Sequence, residues 1–159
     1  MFRIDPATED DLPLILSFIK ELAAYEKLEG EVKATVDDLR ESLFGARRVA
    51  HALIGRVDGE PAGFALYFFN VSTFVGRRGL YLEDLYVRPQ FRHQGLGRRL
   101  LARLARIAVD ARCGRMEWAV LDWNEPALRV YRAIGAQPMS EWTIQRLSGP
   151  ALDALAANA

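Results

Sequence analysis

Apolar positions along this chain change their period several times, and each change marks an element. Phe2 to Asp5 alternates as a short strand that Pro6 ends. Thr8 with Asp11 three residues on approximates a capping box, and Leu12, Ile15, Ile19 and Leu22 then recur at helical spacing. Thr35 with Asp38 repeats that start signal before Val36, Leu39 and Leu43, and Gly45 closes a second helix. Strands over 50–57 and 61–70 flank the hairpin signal Asp58-Gly59-Glu60. Phe64, Tyr67, Phe68 and Phe69 favour a pleated surface over a helix. A strand over 79–88 stops at Pro89. A helix from 95 to 112 carries Leu100, Leu101, Leu104, Ile107 and Ala108 on one face and is closed by Gly114. A strand over 115–121, a helix over 125–134 ended by Gly135, and a last strand over 142–147 complete the pattern, followed by a fraying Ala-rich tail from Ser148. The order βαα, βββ, αβαβ predicts a mixed α/β domain with a strand–turn–helix unit near its middle. Its ligands should sit at the carboxyl ends of strands, here at the ends of 79–88 and 115–121.

Length narrows the organisation. The chain has 159 residues, half of them hydrophobic, which predicts one domain over 1–159 with one core. Lys plus Arg and Asp plus Glu each number 21, so the net charge is zero and nothing draws the whole chain to nucleic acid or an anionic membrane. Any charged ligand must be met by local clusters. Cys113 is the single cysteine, so no internal disulfide forms and a cytoplasmic home is expected. No apolar run reaches the length of about 20 residues that spans a bilayer.

Three segments carry candidate chemistry. Arg92-His93-Gln94-Gly95-Leu96-Gly97-Arg98 joins a strand to a helix. Glycines there let backbone approach a ligand, and a helix start offers free N–H groups and partial positive charge, which together suit an anion. The alternative is that the arginines simply face water. A nucleotide P-loop is disfavoured because no Gly-Lys-Ser/Thr follows. The second segment, Leu80 to Val87, is apolar except for Glu83 and Asp84, which alternation places on opposite faces. A buried carboxylate needs a partner or a raised pKa, so at least one of the two faces a polar cleft or an arginine. In the third, Asn124 caps a helix, Pro126 is tolerated in its first turn, and Tyr131 lies two turns in, as a core residue or a functional one.

These segments together resemble the GNAT superfamily of N-acetyltransferases. Arg92-x-x-Gly95-x-Gly97 is similar to its pyrophosphate-binding motif. Leu80-Tyr81-Leu82-Glu83-Asp84, Trp123-Asn124-Glu125-Pro126, Tyr131 and Gly135-Ala136 look like the spermidine/spermine and thialysine acetyltransferase branch, as do Glu21 to Glu26 and Phe64 to Phe69. The resemblance runs over residues 3–147. It implies an α/β GNAT fold: a bent, mixed, mostly antiparallel sheet splayed near its middle and flanked by about four helices. It implies acetyl-coenzyme A as co-substrate and no metal. The cofactor would be held by Leu85, Tyr86 and Val87, by Arg92, His93, Gln94, Gly95, Leu96, Gly97 and Arg98, and by Asn124, Pro126 and Ala127. Tyr131 matches the general acid, and Glu83 the group that takes the amine proton, directly or through water. Tyr25, Glu26, Glu83, Asp84, Glu117 and Trp118 match substrate-contacting positions. His93 departs from the pattern, which has glycine there, and Leu85 stands where the polyamine enzymes carry an aromatic residue. The expected activity is acetylation of a small cationic amine (a diamine, polyamine or lysine-like amino acid) by direct attack, in a homodimer. The rivals are a protein or peptide acetyltransferase and a non-catalytic acyl-coenzyme A-binding module.

Overall fold

The structure is a computed structural model that describes residues 1–159. The chain divides into two compact units, Met1–Trp123 and Asn124–Ala159. The first holds a five-stranded sheet in chain order. Its elements are β1 (Phe2–Pro6), α1 (Leu12–Tyr25), α2 (Val36–Phe44), β2 (His51–Val57), β3 (Glu60–Ser72), β4 (Arg77–Val87), α3 (Leu96–Asp110) and β5 (Met116–Trp118). Neighbouring strands are antiparallel from β1 to β4, and β5 runs parallel to β4. No helix is long and apolar enough to cross a membrane.

Both predicted capping boxes form. The Thr8 N–H donates to Asp11 Oδ2 at 2.9 Å. The Thr35 N–H donates to Asp38 Oδ2 at 2.9 Å, and Thr35 Oγ1 accepts from the Asp38 N–H at 3.2 Å. Each box satisfies helix-start donors that would otherwise be orphaned.

The sheet is covered on both faces. Leu12, Ile15 and Phe18 of α1 and Leu39 and Leu43 of α2 pack on Ala52, Ile54, Phe64, Leu66 and Tyr86. Phe18 and Phe64 stack with ring centroids 5.3 Å apart. Each fully buried side chain of this size stabilises by about 1.5–3 kcal/mol. The opposite face takes the apolar stripe of α3, whose Leu96, Leu100, Leu101 and Leu104 are buried. Gly55, Gly63 and Val87 lie side by side on that face. A Cβ on Gly55 would come within 3.0 Å of Leu96, and one on Gly63 would collide with the Tyr86 carbonyl. Their bareness lets the start of α3 settle against the sheet at the end of β4.

The second unit contains α4 (Glu125–Ala133) and α5 (Gly149–Ala156). Three expectations are corrected here. Residues 142–147 form no strand, and Trp142 and Ile144 are exposed. A strand needs a neighbour to satisfy its backbone, and this unit contains no other strand. The tail expected to fray instead forms α5, because Pro150 suits a first helical turn and the Ala- and Leu-rich run that follows has high helix propensity. The strand foreseen over 115–121 shortens to Met116–Trp118.

Candidate active site

β4 and β5 part company midway. Leu80, Tyr81 and Leu82 pair with Met116, Glu117 and Trp118, and the pairing ends there. On its other edge β4 stays paired with β3 as far as Val87 opposite Gly63. One edge of Glu83–Val87 therefore has no strand beside it, and backbone groups on that edge are available to an extended ligand. Leu85, Tyr86 and Val87 lie in this stretch. The Val87 carbonyl is already satisfied, accepting from Arg92 Nε at 2.8 Å.

Strict alternation, which would place the two acids of β4 on opposite faces, is interrupted between them and Leu82. Leu66 pairs with Asp84 and Tyr67 with Leu82, so Glu83 is an extra residue in a β-bulge. Tyr81 lies opposite Phe68 and Asp84 opposite Leu66, and Phe68 and Leu66 both pack on the α1 face. Residues three apart thus share a face because the bulge resets the phase. Burial, then the Glu83 charge, then the Glu26 charge push the Asp84 carboxyl up to about 6. Burial, Glu83 and Glu117 likewise raise the Tyr81 phenol. Burial raises the Glu26 carboxyl as well. Glu83 and Glu117 thus act on Tyr81, and Glu83 and Glu26 on Asp84, near the point where β4 leaves β5. Glu83 is exposed, Asp84 and Glu26 are half-buried, and Glu117 takes Arg115 at 3.0 Å.

At the end of β4 the chain makes the turn singled out as an anion cradle. His93 sits at φ 61° and Gly95 at φ 93°, both left-handed. The first explains why glycine suits position 93: histidine adopts this backbone only with strain. α3 then begins at Leu96 with no acid in its first turn. The amides of Leu96, Gly97 and Arg98 precede the first intrahelical bond, from the Arg99 N–H to Gly95 O at 3.1 Å. A Cβ on Gly97 would touch only Val87, at an ordinary 3.8 Å. Packing within the protein therefore does not demand glycine there, whereas a diphosphate laid on the helix start would. These donors and this bare backbone fit the pyrophosphate of coenzyme A.

Arg92 is anchored within the protein. Its guanidinium bonds Val87 O and lies 4.9 Å from the Tyr25 ring centre and 5.6 Å from that of Tyr86. It braces the turn against the end of α1. Arg88 braces the same corner: Nη2 and Nε reach Glu21 at 2.8 and 3.0 Å, and Nη1 donates to Pro61 O at 3.1 Å. The guanidinium pulls the Glu21 carboxyl below its ordinary range. Sequence reading missed this pair, because Glu21 and Arg88 lie 67 positions apart. It also missed Trp123 as a wall: its ring is 5.9 Å from that of Tyr25. Trp118, predicted to contact substrate, is half-buried at the end of β5.

In the second unit, Asn124 Oδ1 caps α4 by accepting from the Ala127 N–H at 3.4 Å, and Pro126 occupies the first turn as foreseen. Tyr131 lies in the last turns of α4, its carbonyl accepting from the Ala136 N–H at 3.0 Å. Gly135, at φ 85°, follows the helix.

Residues 17–136 match the model of the acetyltransferase (GNAT) family. The chain belongs to that family. A thialysine N-epsilon-acetyltransferase of Bos taurus is 41% identical, with 96% of each chain aligned. An L-ornithine N5-acetyltransferase of Arabidopsis thaliana is 30% identical over 96% of this chain and 87% of its own. Among solved structures, an integron cassette protein from the mobile metagenome of V. cholerae superposes with a TM-score of 0.80 at 26% identity, covering 98% of this chain and 97% of that one. As a GNAT acetyltransferase, this protein takes its acetyl group from acetyl-coenzyme A, and the open edge of β4 and the start of α3 have the donors that a pantetheine arm and its diphosphate require.

Proposed function

We propose that this acetyltransferase transfers acetyl from acetyl-coenzyme A to a primary amine of a small cationic substrate: a diamine, a polyamine or a lysine-like amino acid. The observation that carries the reading is a group of acids beside the β4 bulge and the end of the β4–β5 pairing: Glu83 and Glu26 act on Asp84, and Glu83 and Glu117 act on Tyr81. Acids around a half-buried cleft favour a cation. The thialysine and ornithine specificities in the names of the two relatives support the same class.

The chemistry follows from charge. A lysine-like ammonium loses its proton near pH 10.4, so making it nucleophilic at pH 7 costs about 4 kcal/mol. Burial lowers that cost, and neighbouring acids raise it unless one of them accepts the proton. Glu83 takes that role, through water or directly, since it is the exposed acid of the bulge. The free amine attacks the thioester carbonyl, the C–N bond forms, the C–S bond breaks to release the coenzyme A thiolate, and the second proton shed by the nitrogen passes to that thiolate to give the free thiol. Tyr131 is the acid that meets this thiolate. Donation of a hydrogen bond from its hydroxyl stabilises the sulfur as the C–S bond breaks. Leu85, Tyr86, Val87, the turn 92–98, Asn124, Pro126 and Ala127 hold the cofactor, and Tyr25, Asp84 and Trp118 complete the amine side. The proposal takes 1–159 as one functional domain. The family match supports this, since it runs from 17 to 136 across the boundary at Trp123–Asn124. A cytoplasmic homodimer that needs no metal belongs to the same proposal.

The test is thiol release from acetyl-coenzyme A across polyamines, lysine analogues and peptides. Turnover should concentrate on small dicationic amines. Tyr131→Phe should lower kcat about ten- to a thousand-fold with cofactor affinity retained. Preference for peptides, or wild-type turnover by Tyr131→Phe, would overturn the corresponding part.

A further inference from the structure

The start of β4 and the turn after α3 are stitched together at the end of α3 farthest from the 92–98 turn. The Gly114 N–H donates to Arg78 O at 2.9 Å, and the Leu80 N–H donates to Arg115 O at 3.0 Å. A Cβ on Gly114 would collide with Val75, so the two segments touch closely. The buried Ser72 holds the β3–β4 turn: its Oγ accepts from the Val75 N–H at 3.2 Å and its carbonyl from the Gly76 N–H at 2.9 Å. Between these braced segments lies an open cleft of about 620 Å³, lined by Arg77, Arg78, Ala111 and Arg112. No acid lines it. None of the three arginines joins an ion pair. Their neighbours Arg106 and Arg115 do, with Asp110 at 2.7 Å and Glu117 at 3.0 Å. The Arg78 guanidinium also lies over Phe69, 5.6 Å from the ring centre.

A cation beside a helix C-terminus can answer the helix dipole, which accounts for Arg112. It does not account for Arg77 and Arg78, which belong to a strand. Nor do free carbonyls at the end of α3 repel an anion: those of Ile107, Ala108 and Val109 accept from the Ala111, Cys113 and Arg112 N–H groups. We propose that this cleft is a second anion site, for a compact ligand with two or more oxyanion groups, either a phosphate ester or a polycarboxylate. A guanidinium grips either group through two parallel N–H bonds. The cleft has the volume of a small-molecule site, about 300–1,000 Å³. It is not the cofactor cradle, because the 15 residues of α3 separate the two by roughly 22 Å, too far for one diphosphate to touch both.

Titration calorimetry of citrate and of pyrophosphate, at low ionic strength and with the enzyme saturated in coenzyme A, tests the site while the cofactor fills the cradle. At least one of the two anions should bind once per chain. The double variant Arg77→Ala/Arg112→Ala should weaken that binding at least about tenfold, and Arg78→Ala by a similar factor. The paired neighbours give the comparison: Arg106→Ala and Arg115→Ala should each change it less than about twofold. All five side chains are exposed, so no change opens the core. Binding of citrate alone or of pyrophosphate alone keeps the site and assigns it to carboxylate or to phosphate. Binding of neither overturns the proposal. So does equal weakening by all the variants, which would mark a diffuse positive field instead of a cleft. The affinity for coenzyme A should stay at the wild-type value throughout, and a parallel loss would mean that the anions compete for the cradle, which also overturns it.

Discussion

The side chains that matter most here are those whose surroundings set their charge. Asp84 is held at about 6 by burial and by Glu83 and Glu26, above the ordinary 3.8. A raised carboxyl binds its proton more tightly when folded. Below about pH 4 both states are protonated and the residue costs nothing, and the cost grows as pH rises through the interval up to about 6. Asp84→Asn should therefore stabilise the protein by on the order of 2 kcal/mol at pH 7.5 and by far less at pH 4. Urea denaturation at the two pH values checks this, and an equal effect at both would mean that Asp84 is not burdened by its neighbours. Glu83 carries a different expectation. Glu83→Gln keeps the shape and removes the acceptor, so kcat should fall about a hundredfold while the dissociation constant of coenzyme A stays put. Glu83 was legible in sequence as a carboxylate in an apolar strand. The break in alternation at Glu83 was not, because alternation knows nothing of a bulge set by the register of Leu66 and Tyr67 on another strand.

At the scale of elements, the β4–turn–α3 unit was the most readable part of the chain. Its strand residues are apolar, its turn contains the glycines, and its helix has a stripe of leucines, all within about three dozen consecutive positions, a compact local code. The structure adds why the two glycines differ. Gly95 answers a backbone need at φ 93°, whereas a Cβ on Gly97 would meet only Val87, at an ordinary 3.8 Å. Gly97→Val should accordingly leave folding intact and weaken coenzyme A binding by more than tenfold in calorimetry, since the branched side chain stands where the diphosphate lies. A variant that binds as wild type would empty the cradle of its role. The shorter β5 and the missing strand over 142–147 show the limit of local reading. A strand exists only where another offers its edge, and nothing in the pattern of 142–147 says whether one will.

For the whole molecule, the sheet with α1 and α2 on one face and α3 on the other matches the layered α/β architecture expected from the element order. A ligand gripped by this sheet should stabilise it. Acetyl-coenzyme A at a hundredfold excess over its dissociation constant should add about 2.7 kcal/mol, or roughly 5–10 °C in melting temperature for a chain of this size. A scan with and without cofactor measures it, and an unmoved transition would argue against binding to the folded state.

By itself the sequence determined the family, the order of elements as far as α4, both helix caps and the glycine-bearing turn into α3, because each depends on residues close together in the chain. Tertiary structure alone decided the phase of the β4 acids, the brace of Glu21 and Arg88, and the meeting of Tyr25 and Trp123. Those depend on which distant segments share an edge or a face, and such pairing is selected by packing of the whole rather than by any local pattern.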